Sequence, residues 1–235
     1  MPDGGDGSLG IGVVNIGSST TVASGKITIT VGAGGVPAGA QIVVCGADNG
    51  SLSNQSVADS AVNTYLQSSI INNTGLSIYI MRERTGKALT NGQTIVLTLN
   101  SDATLGAANA FYATGLRNIG ADGAVTNTNS ATSTTPTVTS GVPSAKGELF
   151  VGIVGSATLT SSFTQDSTNA AWATPPGQVS LAAPVLVGGD VINSGNGALT
   201  YAPTLDGGAH VWAATIVGFL AETIDMNSQS IMMLP

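Results

Sequence analysis

Three stretches of the chain share one pattern, a turn followed by an apolar run. Residues 36–47 read V-P-A-G-A-Q-I-V-V-C-G-A, in which a proline and a glycine suit a chain reversal before the apolar residues 42–45. The pattern recurs at residues 89–97 (L-T-N-G-Q-T-I-V-L) and, one residue longer before its strand, at residues 142–151 (V-P-S-A-K-G-E-L-F-V). Each stretch predicts a tight turn that leads into a strand, and the apolar run at 42–45 predicts a buried strand.

Alternation of apolar and polar positions predicts two further strands. In residues 25–31, isoleucines and a valine alternate with threonines, which indicates one buried face and one exposed face. Residues 76–82 alternate in the same way, with Leu76, Ile78 and Ile80 on one face. Residues 59–65 carry β-branched and turn-prone side chains, and they predict a loop with a short strand.

Apolar runs of similar length recur along the rest of the chain. They predict strands at residues 11–16, 94–99, 109–114, 148–154, 158–164, 179–187, 198–201 and 209–220. A stretch rich in Asn, Thr, Ser and Gly, residues 118–147, predicts surface loops, with residues 134–139 as a candidate edge strand. Strands of this length and spacing predict an all-β fold: a jelly-roll-like β-sandwich of two packed antiparallel sheets with very little helix.

The strand pattern predicts one β-sandwich domain over residues 11–220, between a flexible N-terminal arm (residues 1–10) and a C-terminal extension (residues 221–235). The extension ends on I-M-M-L-P, and its exposed apolar side chains would gain roughly 1.5–3 kcal/mol each on full burial. Methionine side chains adapt to irregular partner surfaces. We therefore expect the extension to bind a partner, although a frayed tail is the alternative. The predicted partner-binding residues are Ile224, Met226, Ile231, Met232, Met233 and Leu234.

Composition excludes several classes of partner. Charged residues make up only 8% of the chain and the net charge is -7, whereas nucleic-acid binding needs clustered Lys and Arg. The local basic group Arg82, Arg84 and Lys87 is predicted to be a solvated strand end. No apolar run approaches the roughly 18 residues of a membrane helix, and no secretory leader is evident. We therefore expect no nucleic-acid partner, no membrane partner and synthesis in a cytoplasm.

The sequence offers few candidates for catalysis or cofactor binding. His210 is the one histidine, and it lies in an apolar run typical of a sheet residue with a satisfied imidazole. The acids lie singly in turns, without a context that would raise a pKa, at Asp48, Asp102, Asp122, Asp190 and Asp206. Calcium at residues 3–6 is conceivable, but the EF-hand spacing is absent, as is a phosphate-binding loop. The sequence predicts a protein without a cofactor that is not an enzyme.

The sequence around the single cysteine and around one tryptophan predicts the environment of each side chain. Cys45 stands in an apolar run without a second cysteine in the chain, so we expect it to be buried and unpaired. Trp172, in N-A-A-W-A-T-P-P, either covers the edge of the core or lies exposed, where it could stack on a sugar or anchor a partner.

Several motifs occur in an order that suggests a family. V-P-A-G-A-Q-I-V-V is followed by D-S-A-V-N-T-Y (residues 59–65), by L-S-I-Y-I-M-R and by L-T-N-G-Q-T-I-V-L-T-L; G-E-L-F-V-G-I-V-G-S and A-A-T-I-V-G-F-L come later. This order resembles tailed-bacteriophage virion β-sandwich proteins of the head decoration or capsid-associated type, over about residues 22–220. The resemblance implies a jelly-roll-like sandwich with a capsid-bound or fibre role, and it implies no catalytic residues.

Two functional hypotheses follow. The first is a structural virion protein, a head decoration or cement protein. It would bind the major capsid protein or other virion subunits, on the outside of a phage capsid, as a homo-oligomer with a trimer favoured. The alternative is a glycan-binding β-sandwich module or a fibre or adhesin component. A row of exposed aromatic side chains or a calcium site would favour the second hypothesis, and neither is evident in the sequence.

Overall fold

The fold is an all-β sandwich in which every pair of adjacent strands is antiparallel. The computed structural model describes residues 10–51, 54–73, 75–158, 160, 162–180, 182–193, 195 and 197–222, with backbone only at 118–120 and 174. No helix occurs among these residues, and so none of them forms a helix that could cross a membrane. The all-β sandwich expected from the sequence is confirmed.

Residues 12–114 form the first half of the molecule. Its strands are β1 (Gly12–Ser19), β2 (Val22–Ala23), β3 (Lys26–Thr30), β4 (Gln41–Asp48), β5 (Ser56–Asp59), β6 (Tyr65–Asn73), β7 (Leu76–Glu83), β8 (Thr94–Thr98) and β9 (Gly106–Thr114). Five of them form the first inner sheet, in the order β1-β9-β4-β7-β6, and four form an outer sheet, in the order β2-β3-β8-β5. This interleaving of early and late strands in two sheets is jelly-roll topology.

Residues 116–221 form the second half. Its strands are β10 (Leu116–Ser133), β11 (Val138–Thr139), β12 (Glu148–Ser156), β13 (Phe163–Thr164), β14 (Ala173–Ser180), β15 (Val185–Asn193), β16 (Thr200–Tyr201), β17 (Thr204–Leu205) and β18 (His210–Ala221). The second inner sheet has the order β10-β18-β12-β15-β14, and two short ribbons, β11-β16 and β13-β17, cover its outer face.

The two halves have the same topology. Replacing β1, β9, β4, β7 and β6 by β10, β18, β12, β15 and β14 converts the order of one inner sheet into that of the other. The pairings β3-β8 and β5-β8 correspond in the same way to β11-β16 and β13-β17. The turn-and-strand patterns at residues 36–47 and 142–151 are therefore equivalent segments, since they lead into the central strands β4 and β12.

The inner sheets pack face to face, and the contacts between them are reciprocal. Strand β6 lies against β10 and β18, while its equivalent β14 lies against β1 and β9. This reciprocity is what a two-fold axis between the halves produces, as at the interface of a symmetric dimer. The side chains enclosed between the sheets, here called the junction core, include Val43, Cys45, Val151, Ile153 and Phe219.

Each half also has its own core between its inner sheet and its outer strands. Ile27, Ile42 and Val44 belong to the core of the first half, and Phe150 and Trp212 belong to that of the second. Strands β4, β7 and β12 are buried along their whole length because they lie between two cores. A strand that is covered on both faces needs apolar residues at nearly every position, as in the run 42–45.

One turn is repeated in the two halves with matching hydrogen bonds. Asp59 Oδ1 accepts two backbone N–H groups, and its Oδ2 accepts Asn63 Nδ2 at 2.8 Å and the Tyr65 hydroxyl at 2.7 Å. Asp166 Oδ1 likewise accepts two backbone N–H groups, and its Oδ2 accepts Asn169 Nδ2 at 3.0 Å and a third backbone N–H at 2.9 Å. An Asp-Asn pair thus braces the loop that leads into β6 and the loop that leads towards β14.

The structure differs from the predicted strands mainly in the second half. Residues 118–147 were predicted as loops, but β10 extends through Ser133, because its exposed Thr and Asn side chains suit an edge strand that pairs with β18 alone. In the predicted strand at 158–164, Phe163–Thr164 form β13, whereas residues 158, 160 and 162 are not in a strand and residues 159 and 161 lie outside the described residues. The predicted strand at 179–187 is a hairpin, since β14 ends at Ser180 and β15 begins at Val185. Strand β14 contains two prolines, which an edge strand tolerates.

Candidate functional site

A groove opens where the two halves meet, between the edge strands β6 and β10. Its volume is about 490 Å³, within the usual range of ligand pockets. It is lined by Leu66, Gln67, Ser68, Arg82, Arg84, Ala121, Gly123 and Thr126. Strands β6 and β7 of the first half and β10 of the second half all contribute, so the groove depends on the packing of both halves.

Arg82, near the end of β7, is fixed beneath this groove. Its Nε donates to the side-chain oxygen of Gln41, and its Nη2 donates to the backbone carbonyl of Arg117. The guanidinium lies 5.3 Å from the centre of the Phe219 ring, a cation–π geometry. Among the described residues, Nη1 has no hydrogen-bond partner. Arg82 is only 1% exposed and is held in one orientation.

Two arginine side chains line the groove although the chain is acidic. Burial, and then the charge of Arg84, lower the pKa of Arg82 to about 10, while Glu83 acts in the opposite direction. Arg82 therefore stays protonated at neutral pH. Two of the six basic residues of the chain line this one groove, and no acid is among the described residues that line it. The arrangement can attract an anionic group.

The prediction that Arg82, Arg84 and Lys87 form a solvated strand end is wrong for Arg82. Both faces of β7 are covered, so the side chain of Arg82 lies in the junction between the sheets. Arg84 and Lys87 are exposed, as expected. Lys87 Nζ donates to the carbonyls of Ala61 and Val62 at 3.4 and 3.1 Å, which ties it to the turn after β5.

The predicted candidate acids do not meet in one site. Asp48 is buried and accepts the side chain and backbone N–H of Asn100, with Oδ1–Nδ2 at 2.8 Å. Asp102 accepts the backbone N–H and hydroxyl of Ser51 at 3.0 and 2.9 Å, and Asp206 accepts the hydroxyl of Ser162. No group of three His, Cys, Asp or Glu side chains within the described ranges could hold a metal ion. Residues 3–6, considered for calcium, lie outside those ranges.

The expectation that no acid has a raised pKa is wrong. Burial raises the pKa of Asp48, although its hydrogen bonds with Asn100, Gly50 and Tyr79 oppose the shift. Burial also raises the pKa of Asp190 to about 6, and Oδ1 of Asp190 has no hydrogen-bond partner among the described residues. Sequence reasoning missed this because nothing in G-G-D-V-I-N shows that Asp190 faces the junction core.

Asp122 and Glu148 form a buried carboxyl pair. Asp122 accepts the backbone N–H of Ala124 and Ser144 at 2.9 and 3.0 Å, and Glu148 accepts that of Ala145 at 3.0 Å. Burial, followed by the charge of Asp122, raises the pKa of Glu148 to about 7. Burial acts to raise the pKa of Asp122 as well, but hydrogen bonds from the loop and from Glu148 outweigh it and lower the pKa. The two carboxyl groups lie close enough to shift each other's pKa, and their hydrogen bonds with backbone amides brace the loop before β12.

His210, at the start of β18, has a satisfied imidazole, as predicted. It is 2% exposed; Nδ1 lies 2.9 Å from the Thr158 hydroxyl and Nε2 lies 3.2 Å from the carbonyl oxygen of Asp206. Both ring nitrogens are thus engaged by groups of the adjoining loops. The geometry is that of a structural histidine.

Trp172 and Cys45 also belong to cores. Trp172 is 6% exposed, its ring centre is 4.7 Å from that of Tyr201, and Nε1 donates to the carbonyl of Thr200 at 3.1 Å. The interpretation that Trp172 covers the core is confirmed, and an exposed sugar-stacking role is not supported. Cys45 is buried and unpaired, as expected, and burial raises the pKa of its thiol.

The predicted partner-binding residues cannot be placed relative to the groove. Ile224, Met226, Ile231, Met232, Met233 and Leu234 all lie outside the described residues, as do residues 1–9 of the N-terminal arm. The groove itself was not predicted from the sequence. The available signal was Arg82-x-Arg84 directly after the apolar run of β7, since a cation that close to a buried strand often has a specific role.

Comparisons with known proteins add no functional assignment. No protein-family model matches the chain, and no curated protein matches it. One solved structure, that of the conserved protein of unknown function PA5104 from Pseudomonas aeruginosa PAO1, is 11% identical. The alignment covers 92% of this chain and 100% of that one, with a TM-score of 0.22.

Proposed function

We propose that this chain is a structural virion protein, a head decoration or cement protein that binds the outside of a phage capsid as a homo-oligomer and does no covalent chemistry. The observation that carries the proposal is how the chain uses its acids. Asp48, Asp59, Asp122 and Asp166 each accept at least two hydrogen bonds from loop backbone amides or neighbouring side chains. Such acids stiffen the loops at the strand ends, which suits a scaffold whose loops contact other subunits.

Immuno-electron microscopy of particles purified from the source of the gene tests the proposal. An antiserum against the purified protein should label heads at regular spacing. Labelling of tails or fibres alone would support the fibre or adhesin alternative. Particles that carry no label, from a preparation in which the major capsid protein is detected, would overturn the virion assignment.

We also propose that the C-terminal extension mediates assembly, through the apolar residues Ile224, Met226, Ile231, Met232, Met233 and Leu234. The full-length double variant Met232→Asp, Met233→Asp would place two charges in that interface, at a cost of several kcal/mol if they were buried. Light scattering after gel filtration should then show a monomer where the unmodified chain forms an oligomer, with a trimer expected. An unchanged oligomer would assign assembly to another surface.

A second candidate function, a glycan-binding module, is favoured by the groove between β6 and β10. Polar side chains, two arginines and an exposed leucine converge there in a volume of about 490 Å³. Saccharide sites combine hydrogen-bonding groups with apolar contact in the same way. The two functions are compatible, because a particle-bound protein can carry a glycan site on its outer surface.

A further inference from the structure

We propose that the groove between β6 and β10 binds an acidic saccharide, with the carboxylate of the sugar facing Arg84 above the fixed charge of Arg82. This inference rests on the glycan-binding candidate and is independent of the virion assignment. Nothing in the comparisons points to this ligand. The proposal follows from three properties of the groove: its charge, the shape of its edge strand and its mixed lining.

The charge of the groove selects an anion. The hydrogen bonds of Arg82 go to a side-chain amide and a backbone carbonyl, which carry no charge, and Glu83 is the carboxylate that helps to keep the guanidinium protonated. Because Arg82 is buried, salt screens its charge less than that of an exposed residue. Arg84 is exposed at the rim, where its planar guanidinium can meet a carboxylate with two parallel hydrogen bonds.

A β-bulge shapes the wall of the groove. Gln67 pairs with Met81 and Ser69 pairs with Ile80, so Ser68 is an extra residue in β6. A bulge re-aims the side chains around it, and here Leu66, Gln67 and Ser68 in succession all line the groove. A regular strand would turn alternate side chains away. The amide of Gln67 and the hydroxyl of Ser68 are the donor groups that sugar hydroxyls require.

The remaining lining favours a sugar over a bare inorganic anion. Leu66 is 45% exposed and offers an apolar surface to the C–H face of a sugar ring. Thr126 Oγ1 donates to the carbonyl of Asp122 at 3.2 Å, which leaves its oxygen as an acceptor for a sugar hydroxyl. The groove of about 490 Å³ is larger than a phosphate or sulfate ion needs and has room for one or two sugar rings.

The test uses the full-length chain with glucuronic acid as the probe, measured by titration calorimetry and ligand-observed NMR. We expect a Kd of roughly 0.1–1 mM for glucuronic acid and at least tenfold weaker binding of glucose, which lacks the carboxylate. Arg84→Gln should weaken glucuronic acid binding about tenfold. Lys26→Gln makes the same charge change on the exposed face of β3 and should leave the Kd within about twofold.

A steric variant tests the location separately from the charge. A Cβ at Gly123 would meet no atom within 4 Å, so Gly123→Val should fold normally while it narrows the groove. We expect it to abolish binding, whereas Gly32→Val, at another open glycine, should not. Equal binding of glucose and glucuronic acid, or unchanged binding by both Arg84→Gln and Gly123→Val, would overturn the proposal.

Two further outcomes separate the alternatives. Inorganic phosphate that binds as tightly as glucuronic acid, and competes with it, would show a simple anion site and overturn the saccharide assignment. Absence of binding to every probe, while antibodies label virion heads, would overturn this inference and leave the virion proposal standing. Glucuronic acid binding without any virion label would support this inference and overturn the virion proposal.

Discussion

Arg82 and Asp190 occupy equivalent positions in the two halves and carry opposite charges. Arg82 of β7 pairs with Val43 of the central strand β4, and Asp190 of β15 pairs with Val151 of the central strand β12. Both valines belong to the junction core, so both ionisable side chains face the junction. The near-symmetry of the backbone thus does not extend to these two charges, and the groove lined by two arginines lies at the end of the junction where β6 meets β10.

The first prediction concerns Asp190. Its pKa is raised from 3.8 to about 6, so between these pH values the folded protein holds a proton that the unfolded chain has lost. The free energy of unfolding therefore falls as the pH rises through this window. Asp190→Asn has no carboxyl group to ionise and therefore avoids this fall in the free energy of unfolding. It should stabilise the protein by about 2 kcal/mol at pH 8, with almost no effect at pH 4.

Urea denaturation of both proteins across this pH range checks the prediction, and the contribution of Glu148 cancels in the difference. The interpretation fails if Asp190→Asn is equally stabilising or destabilising at both ends of the range.

The second prediction concerns Arg82, whose hydrogen bonds tether the connection between the two halves. Arg82→Met removes the donors to Gln41 and to the carbonyl of Arg117, next to the link at Gly115. Leaving these acceptors unpaired should lower the free energy of unfolding by about 2 kcal/mol. Arg84→Met, on the exposed side, should change it by no more than about 0.5 kcal/mol. Equal losses in the two variants, measured by urea denaturation, would contradict the tether.

The third prediction concerns the repeated Asp-Asn turns. Asp59→Ala and Asp166→Ala each leave several hydrogen-bond donors without an acceptor, and each should destabilise the protein by about 2–3 kcal/mol. Asp102→Ala, which loses exposed contacts to Ser51, should cost less than about 1 kcal/mol. Thermal denaturation distinguishes these values. If only one of Asp59→Ala and Asp166→Ala destabilises the protein, the two turns are not equivalent.

The fourth prediction concerns backbone strain. Val62 has a φ of 58° and is 76% exposed, a conformation that disfavours a β-branched side chain. Asn tolerates this region, so Val62→Asn should stabilise the protein by about 1 kcal/mol. Val14→Asn, at an exposed position in the extended strand β1, should destabilise it instead. A loss of stability from Val62→Asn would mean that the valine side chain makes a contact worth more than the strain.

Local patterns predicted the interior of the fold better than its edges. The runs that became β4, β7 and β12 are apolar because two cores cover them, and their positions follow from the sequence. The sequence predicts loops where β10 lies, because an exposed edge strand needs no apolar side chains. Asn127 and Asn129 support it by donating side-chain hydrogen bonds to the carbonyls of Thr139 and Thr137, across the turn that follows β10, and no apolar pattern indicates this arrangement.

The candidate groove could not be predicted because it lies between elements far apart in the chain. Arg82 and Thr126 meet only because β6 and β10 are edge strands of two different sheets that pack together. The similarity of residues 36–47 and 142–151 was visible in the sequence. Only the strand order shows that this similarity reflects two halves with the same topology.

The shared junction core has a consequence for how the chain unfolds. A half released from its partner would expose the apolar face formed by residues such as Val43 and Ile80, or Val151 and Phe219, at a cost of roughly 25 cal/mol for each Å². Neither half is therefore expected to persist alone, although each has the topology of a complete jelly roll. Heat or denaturant should unfold both halves in a single cooperative transition. The fluorescence of Trp172 in the second half and the accessibility of the Cys45 thiol in the first should then change together.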